Sequence, residues 1–172
     1  MEEKEVRVRG RLACAFVAVV ALAVAPASAV SKSTAPVNVC TRYSRVAMYG
    51  TSPSAKARKT AIAAARGIDF YTGTVLVGPA SIDHVYPLHA AWPTLCDFSR
   101  VERVAFGNDQ DNLVMTSAKL NSEKNDETPA TWSPANRARA CAYMLKYEAV
   151  ARKYKLPVSN KDVAARRLAC GT

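Results

Sequence analysis

Four cysteines, Cys40, Cys96, Cys141 and Cys170, are spread over almost the whole length of the chain that follows an apolar N-terminal run. Whether they cross-link depends on the compartment in which the chain matures, and the first residues address that. MEEKEVRVRGR places Arg7, Arg9 and Arg11 ahead of LACAFVAVVALAVA, an apolar stretch of about 14 residues. Ala27-Ser28-Ala29 follows, with the small-x-small form that signal peptidase reads. A stretch of this length suits a signal-peptide core and is short for a membrane span. The expectation is a signal peptide over residues 1–29, a loose polar leader over 30–38 and one domain over 39–172; an uncleaved membrane anchor is the alternative. Cys14 leaves with the signal. An even number of cysteines in an exported chain predicts two disulfides. Four cysteines allow three pairings, and spacing alone does not choose among them. The absence of any C-x-x-C pair argues against a zinc site.

About 143 residues remain after residue 29, enough for one domain with its own core and too few for two. The whole chain has a formal net charge of +10, and residues 1–29 carry four basic and three acidic side chains, so the remainder keeps +9. Such an excess suits a polyanionic partner, either nucleic acid or an anionic envelope polymer; solubility or retention at a cell surface is the less specific explanation. No stable membrane association is expected once the signal is cleaved.

The pattern of local signals predicts an α+β fold, a small antiparallel hairpin surrounded by helices. SPSAKARKTAIAAARG reads as a basic helix with Ser52 as N-cap, Pro53 at its first position and Gly67 as its stop. A turn at Thr72-Gly73 and a short strand over 74–77 follow. SIDHVYPL is a strand ended by Pro87, because proline removes a ladder donor. DFSRVERVAF can form a helical turn, NDQDN is a polar loop, LVMT a strand, and SAKLNSEKND a short helix opened by Ser117. In the last third, Ala140, Met144, Tyr147, Val150, Ala151 and Tyr154 recur at helical spacing, and Ser159 with Asp162 forms a capping-box pattern for a second helix. If that second helix packs back along the first, Cys141 meets Cys170, and Cys40 pairs with Cys96.

The polar groups on this frame define a candidate site. Asp83 and His84 lie on the first strand of a hairpin, Asn112 just before the second, and Asn121, Lys124 and Asp126 on or after the short helix. Asp83 and Asn121 offer hard oxygen donors, which suit Mg²⁺ with several waters still bound. A histidine of ordinary pKa near 6.5 can act as a neutral base at pH 7. A base that activates water on one side of phosphorus and a cation that neutralises the leaving oxygen on the other are what phosphodiester cleavage requires. One geometric constraint applies: neighbours on a flat strand point to opposite faces, so Asp83 and His84 can serve one phosphate only if the strand twists or bulges.

The segments IDHVYPLHAAW, RVAFGNDQDNLVMTSAKLNSEKND and TWSPANRARACAYM, together with YTG ahead of them, resemble the secreted His-Asn-His (ββα-metal) endonucleases, in particular the group related to the C-terminal domain of the GmrS/GmrD restriction proteins. The resemblance runs from about Cys40 to Cys170. Its specific elements are the Asp-His-Val-x-Pro-Leu strand, the Phe-x-Asn-Asp-x-x-Asn-Leu turn, the Asn-x-x-Lys-x-Asp helix end and the Trp-x-Pro that follows. It implies a ββα-metal core and an exported, divalent-metal-dependent endonuclease acting on DNA, with RNA as the alternative substrate. Within that core it implies His84 as general base, Asp83 as metal ligand, Asn121 in the last-ligand position and Asn112 bracing the loop that orients His84. Lys124 is implied to hold phosphate and Asp126 to hold the helix. Two departures touch the substrate side: PTLCDFSR is shorter than the usual insertion and carries Cys96, and Gly107-Asn108-Asp109 replaces the commoner Ala-Asn-Asp.

The remaining candidates have plainer readings. His89 has no role in the pattern and reads as a packing or surface histidine. Trp92 and Trp132 read as core rather than base-stacking platforms. Arg137 and Arg139, and the basic run over 56–59, are candidate phosphate contacts or simply solvated helix faces. A catalytically silent nucleic-acid or envelope-binding module on the same scaffold is the alternative function.

Overall fold

In a computed structural model of the protein, residues 38–171 are described. The expected signal peptide over 1–29, and all but the last residue of the expected leader, lie outside the described residues. The fold is α+β, with seven α-helices and one two-stranded antiparallel sheet among the described residues. In chain order these are α1 (Arg45–Tyr49), α2 (Ala55–Ala65), β1 (Ala80–His84), α3 (Leu88–Leu95), α4 (Arg100–Gly107), β2 (Leu113–Ser117), α5 (Ala118–Lys124), α6 (Arg137–Tyr154) and α7 (Asn160–Cys170). The strands pair from Ala80 opposite Ser117 to His84 opposite Leu113.

Most helix starts follow from capping chemistry. The Ser117 side chain accepts from Leu120 N at the start of α5, and Ser159 and Asp162 complete a reciprocal capping box at α7. Ser99 and Glu102 do the same for α4, which runs for two turns rather than one. The basic helix α2 starts later than expected: its cap is Ser54, not Ser52. The Ser52 hydroxyl is engaged elsewhere, donating to Tyr49 O and accepting from Asn108 Nδ2, so it is not available to a helix N-terminus. No strand forms over 74–77; only an isolated bridge joins Ile68 and Val75. Val75 and Val77 are 70% and 87% exposed, so their β-propensity has no packing surface to act on. Pro87 ends the extended segment as expected and then serves as the N-cap position of α3, an element absent from the sequence reading.

The core is rich in tyrosine. Tyr49, Tyr71, Tyr86, Tyr143 and Tyr147 are buried with Phe106, Met144 and Val150. Tyr86 stacks on Tyr147, and the Tyr49 and Tyr86 hydroxyls donate to Leu88 O and Pro157 O. Trp132 packs edge-on against Tyr71 and Tyr143, and Trp92 lies partly buried against the same core with its indole N–H donated to Val39 O, which fits the core reading of both. The α6 stripe buries Ala140, Met144, Tyr147, Val150 and Ala151 as the spacing predicts, with Tyr143 added and Tyr154 left partly exposed.

Two disulfides close the fold, Cys40–Cys96 and Cys141–Cys170, with Cα–Cα distances of 5.1 and 4.9 Å. The second pins α7 back along α6, the antiparallel return expected from the two helical patterns; the first ties the segment before α1 to the end of α3.

Candidate functional site

The hairpin and the helices around it enclose a polar cavity of about 230 Å³ lined by Asp83, His84, Asn121, Asn125 and Asp126, with Tyr43, Arg45, Ile82, Pro87 and Leu88 completing the wall. Residues from β1, from α5 and its C-terminal exit, and from α1 and the segment before it therefore meet at one place. The alternation constraint is satisfied in an unexpected way. Asp83 and His84 do diverge, Asp83 toward α5 and His84 toward the end of α4, yet both still border the cavity.

Asp83 is 6% exposed, and Lys124 has no exposed surface at all. Lys124 Nζ lies 3.0 Å from Asp83 Oδ2 and 3.4 Å from Oδ1, and also donates to His84 O at 3.0 Å. The Tyr71 hydroxyl donates to Asp83 Oδ2 at 2.5 Å. Burial raises the Asp83 pKa above its ordinary value, opposed by the Lys124 charge and by these hydrogen bonds. Burial and the neighbouring carboxylate push the Tyr71 phenol well up, so it remains a donor at any physiological pH.

His84 Nε2 is 2.9 Å from Gly107 O. A carbonyl only accepts, so Nε2 carries the proton and the neutral ring holds its lone pair on Nδ1. Burial lowers the pKa to about 4, against the Gly107 carbonyl, which favours the charged ring, and with the Arg45 and Lys124 charges adding to the lowering. The imidazole is neutral at pH 7. A side chain at position 107 would force Ser52 to shift: a Cβ there would lie 2.5 Å from Ser52 Oγ and 2.8 Å from Ser52 Cβ.

Asn112 is fully buried and clamps the chain just past the histidine. Its Oδ1 accepts from Tyr86 N at 2.7 Å, its Nδ2 donates to Tyr86 O at 3.1 Å, and its backbone O accepts from Val85 N at 2.9 Å. It braces the exit of β1 without touching the imidazole. Asn121 Nδ2 donates to Ser81 Oγ at 2.7 Å, which orients the amide and leaves Oδ1 as an oxygen donor.

Other expected residues are placed differently. Lys124, expected to hold phosphate, is sealed inside the protein and committed to Asp83; a buried lysine is tolerated because a carboxylate balances it. Asp126, expected to hold the helix, is half-exposed and lies across from His89 Nδ1 at 3.9 Å. Arg139 donates to Phe70 O and sits over the Phe70 ring, and Arg137 Nε donates to Ala169 O, so both guanidinium groups are engaged with the protein's own backbone and neither borders this cavity. His89 is exposed, as its plain reading predicts, and stacks on Trp92. The residues that sequence reasoning missed are Tyr71, Arg45 and Asp69. Asp69 is buried and accepts from Tyr71 N, Thr72 N, Thr116 Oγ1 and Ser117 N, fixing the loop that carries Tyr71 to the start of α5.

The donor set fits a hard divalent cation. Asp83 Oδ1 has the longer of the two contacts to Lys124, and Asn121 Oδ1 is free of the Ser81 bond; Mg²⁺ is typically held by one or two protein oxygens and keeps several waters. The set does not resemble a zinc site. Among the described residues, the one group of three His, Cys, Asp or Glu side chains close enough to share an ion is Cys40, Cys96 and Asp97, and its two cysteines are a disulfide.

Comparison with known proteins adds little to this geometry. No family profile matches the chain, and no solved structure matches it. An uncharacterized secreted protein of Arthroderma benhamiae is 31% identical over 87 residues, which is 49% of this chain and 43% of that protein. The chain thus spans less than half the length of the curated relative it matches. No helix among the described residues is long and apolar enough to cross a membrane.

Proposed function

We propose that the protein is an exported, divalent-metal-dependent endonuclease that hydrolyses phosphodiester bonds in DNA or RNA. The observation that carries this reading is the convergence of Asp83, His84 and Asn121 on one polar cavity, with His84 held as a neutral base. Export is supported by the two disulfides and by the secreted relative. The excess of positive charge supports a polyanionic substrate.

His84 acts through Nδ1, which takes a proton from the attacking water. The Gly107 carbonyl then strengthens its bond to Nε2–H as the ring becomes charged, and so stabilises the imidazolium as it forms. Asp83 and Asn121 would hold the cation, and Lys124 and Tyr71 fix the Asp83 carboxylate for that task. A bound divalent cation supplies Lewis-acid neutralisation of the phosphate and of the leaving oxygen. Asn112 keeps the exit of β1 rigid, so that the imidazole is presented in one orientation.

A catalytically silent binding module is the second reading, and the Asp83–Lys124 pair favours it, since a carboxylate already balanced by an ammonium needs no metal. Incubation of the mature protein with plasmid and Mg²⁺, with and without EDTA, separates the two. Cleavage should require the metal. His84→Ala should lower the rate by roughly 10²- to 10⁴-fold while retaining DNA in a gel shift, and Asn121→Ala should raise the Mg²⁺ concentration needed for half-maximal rate. His89→Ala should cleave normally. Cleavage that persists in EDTA, or a His84→Ala loss below about tenfold, removes this mechanism.

A further inference from the structure

A phosphodiester entering this cavity needs a fixed positive charge, and the expected sources do not reach it. Lys124 is sealed behind Asp83, and Arg137 and Arg139 are bonded to backbone carbonyls elsewhere. The wall itself carries two carboxylates, Asp83 and Asp126. Among the described residues, Arg45 is the one lysine or arginine that lines the cavity.

We infer that Arg45 supplies the guanidinium that binds the phosphate group in this cavity, an assignment that rests on the phosphodiesterase reading above. Arg45 Nη2 donates to Ser52 O at 2.8 Å, which fixes the plane of the guanidinium. Among the described residues its Nε and Nη1 make no hydrogen bond, so a fork remains for two oxygens of one phosphate, the geometry in which arginine exceeds lysine. The anchor also relates Arg45 to the base. Arg45 begins α1, α1 packs on α4, and the Ser52 that holds Arg45 lies against Gly107, whose carbonyl holds His84. One rigid corner therefore sets both the phosphate-binding cation and the histidine. Because the guanidinium meets charge that grows at the phosphoryl oxygens in the transition state, its loss falls mainly on kcat.

The test uses the mature protein, a labelled oligonucleotide and Mg²⁺. Arg45→Ala should lower kcat by about 10²-fold, with KM changed less than about threefold. Arg45→Lys should recover part of the loss, and millimolar guanidinium should raise the rate of Arg45→Ala without helping the wild type. Circular dichroism reports whether each variant is folded, and Arg167→Ala, an exposed arginine on α7, serves as the control. A second readout needs no activity: titration of inorganic phosphate in EDTA, followed by amide NMR shifts at His84 and Asn121. Saturable shifts in the wild type that vanish in Arg45→Ala support the assignment even if the protein cleaves nothing, in which case the phosphodiesterase reading fails by itself. Equal shifts in both proteins, or cleavage by Arg45→Ala within about threefold of wild type, overturn it.

Discussion

Lys124 Nζ lies 3.0 Å from Asp83 Oδ2, with the lysine wholly and the aspartate almost wholly withdrawn from water. Removing one partner of such a pair strands an uncompensated charge and typically costs 3–5 kcal/mol, more than the pair itself contributes. Lys124→Met should therefore destabilise the protein by about 3–5 kcal/mol in urea unfolding. Adding Asp83→Asn should restore a large part of the loss, because the second change removes the stranded charge. Additive losses in the double variant would show that the pair is not coupled.

Gly107 gives a prediction with an unusual sign. Glycine to alanine inside a helix ordinarily stabilises by roughly 0.5–1 kcal/mol. Here the new methyl would fall within 3 Å of Ser52 Oγ and Cβ, and overpacking of that kind typically costs 1–3 kcal/mol. Ser52 has little freedom to retreat, since its hydroxyl bonds to Tyr49 O and Asn108 Nδ2 and its carbonyl to Arg45. The steric term wins. Gly107→Ala should lower the urea midpoint, and Ser52→Gly added to it should recover most of the loss; a Gly107→Ala variant more stable than wild type would contradict the packing.

The contrast between these two sites shows what the sequence carries. Caps and periodic stripes are local, so α5, α6 and α7 can be read directly: Ser117, Ser159 with Asp162, and the spacing from Ala140 to Ala151 each act within a few residues. The hairpin is legible because SIDHVYPL is closed by Pro87 and LVMT follows the polar loop NDQDN. What is illegible depends on distant partners. Lys124 reads as a phosphate-holding lysine until Asp83, 41 residues earlier, is brought against it. Ser52 and Ser54 both flank Pro53, and only the packing of Tyr49, Gly107 and Asn108 decides which one caps α2. The helix α3 is hidden by Pro93 within it, which reads as a breaker. Arg45 belongs to a five-residue helix too short to display a period.

His84 ties stability to pH. Its pKa in the folded protein, about 4, lies below the value near 6.5 expected when the chain unfolds. As pH falls the unfolded chain takes the proton first, so the stability due to a neutral His84 is fully present above pH 6.5 and is lost progressively between 6.5 and about 4. At 1.36 kcal/mol per pH unit the group contributes at most about 3 kcal/mol. Urea midpoints in EDTA from pH 7.5 to 4.5 should fall more steeply for the wild type than for His84→Gln. Parallel profiles would mean that this histidine is not buried in the neutral form.

The disulfides should matter for stability more than for the chemistry of the cavity. Cys141 lies in the second turn of α6 and Cys170 ends α7, so their bond closes a 29-residue separation and holds the two helices antiparallel; Cys40–Cys96 closes 56 residues. In the chain-entropy treatment each cross-link removes freedom from the unfolded chain and contributes about 4 kcal/mol. Neither bond reaches Asp83, His84 or Asn121, which the sheet, α4 and α5 position. Reduction should therefore lower the melting temperature well before it alters the metal response of the remaining folded protein. Peptide mapping without reductant should give Cys40–Cys96 and Cys141–Cys170 peptides. A Cys40–Cys141 peptide would overturn the pairing, and four free thiols in protein recovered from an oxidising compartment would overturn the cross-links altogether.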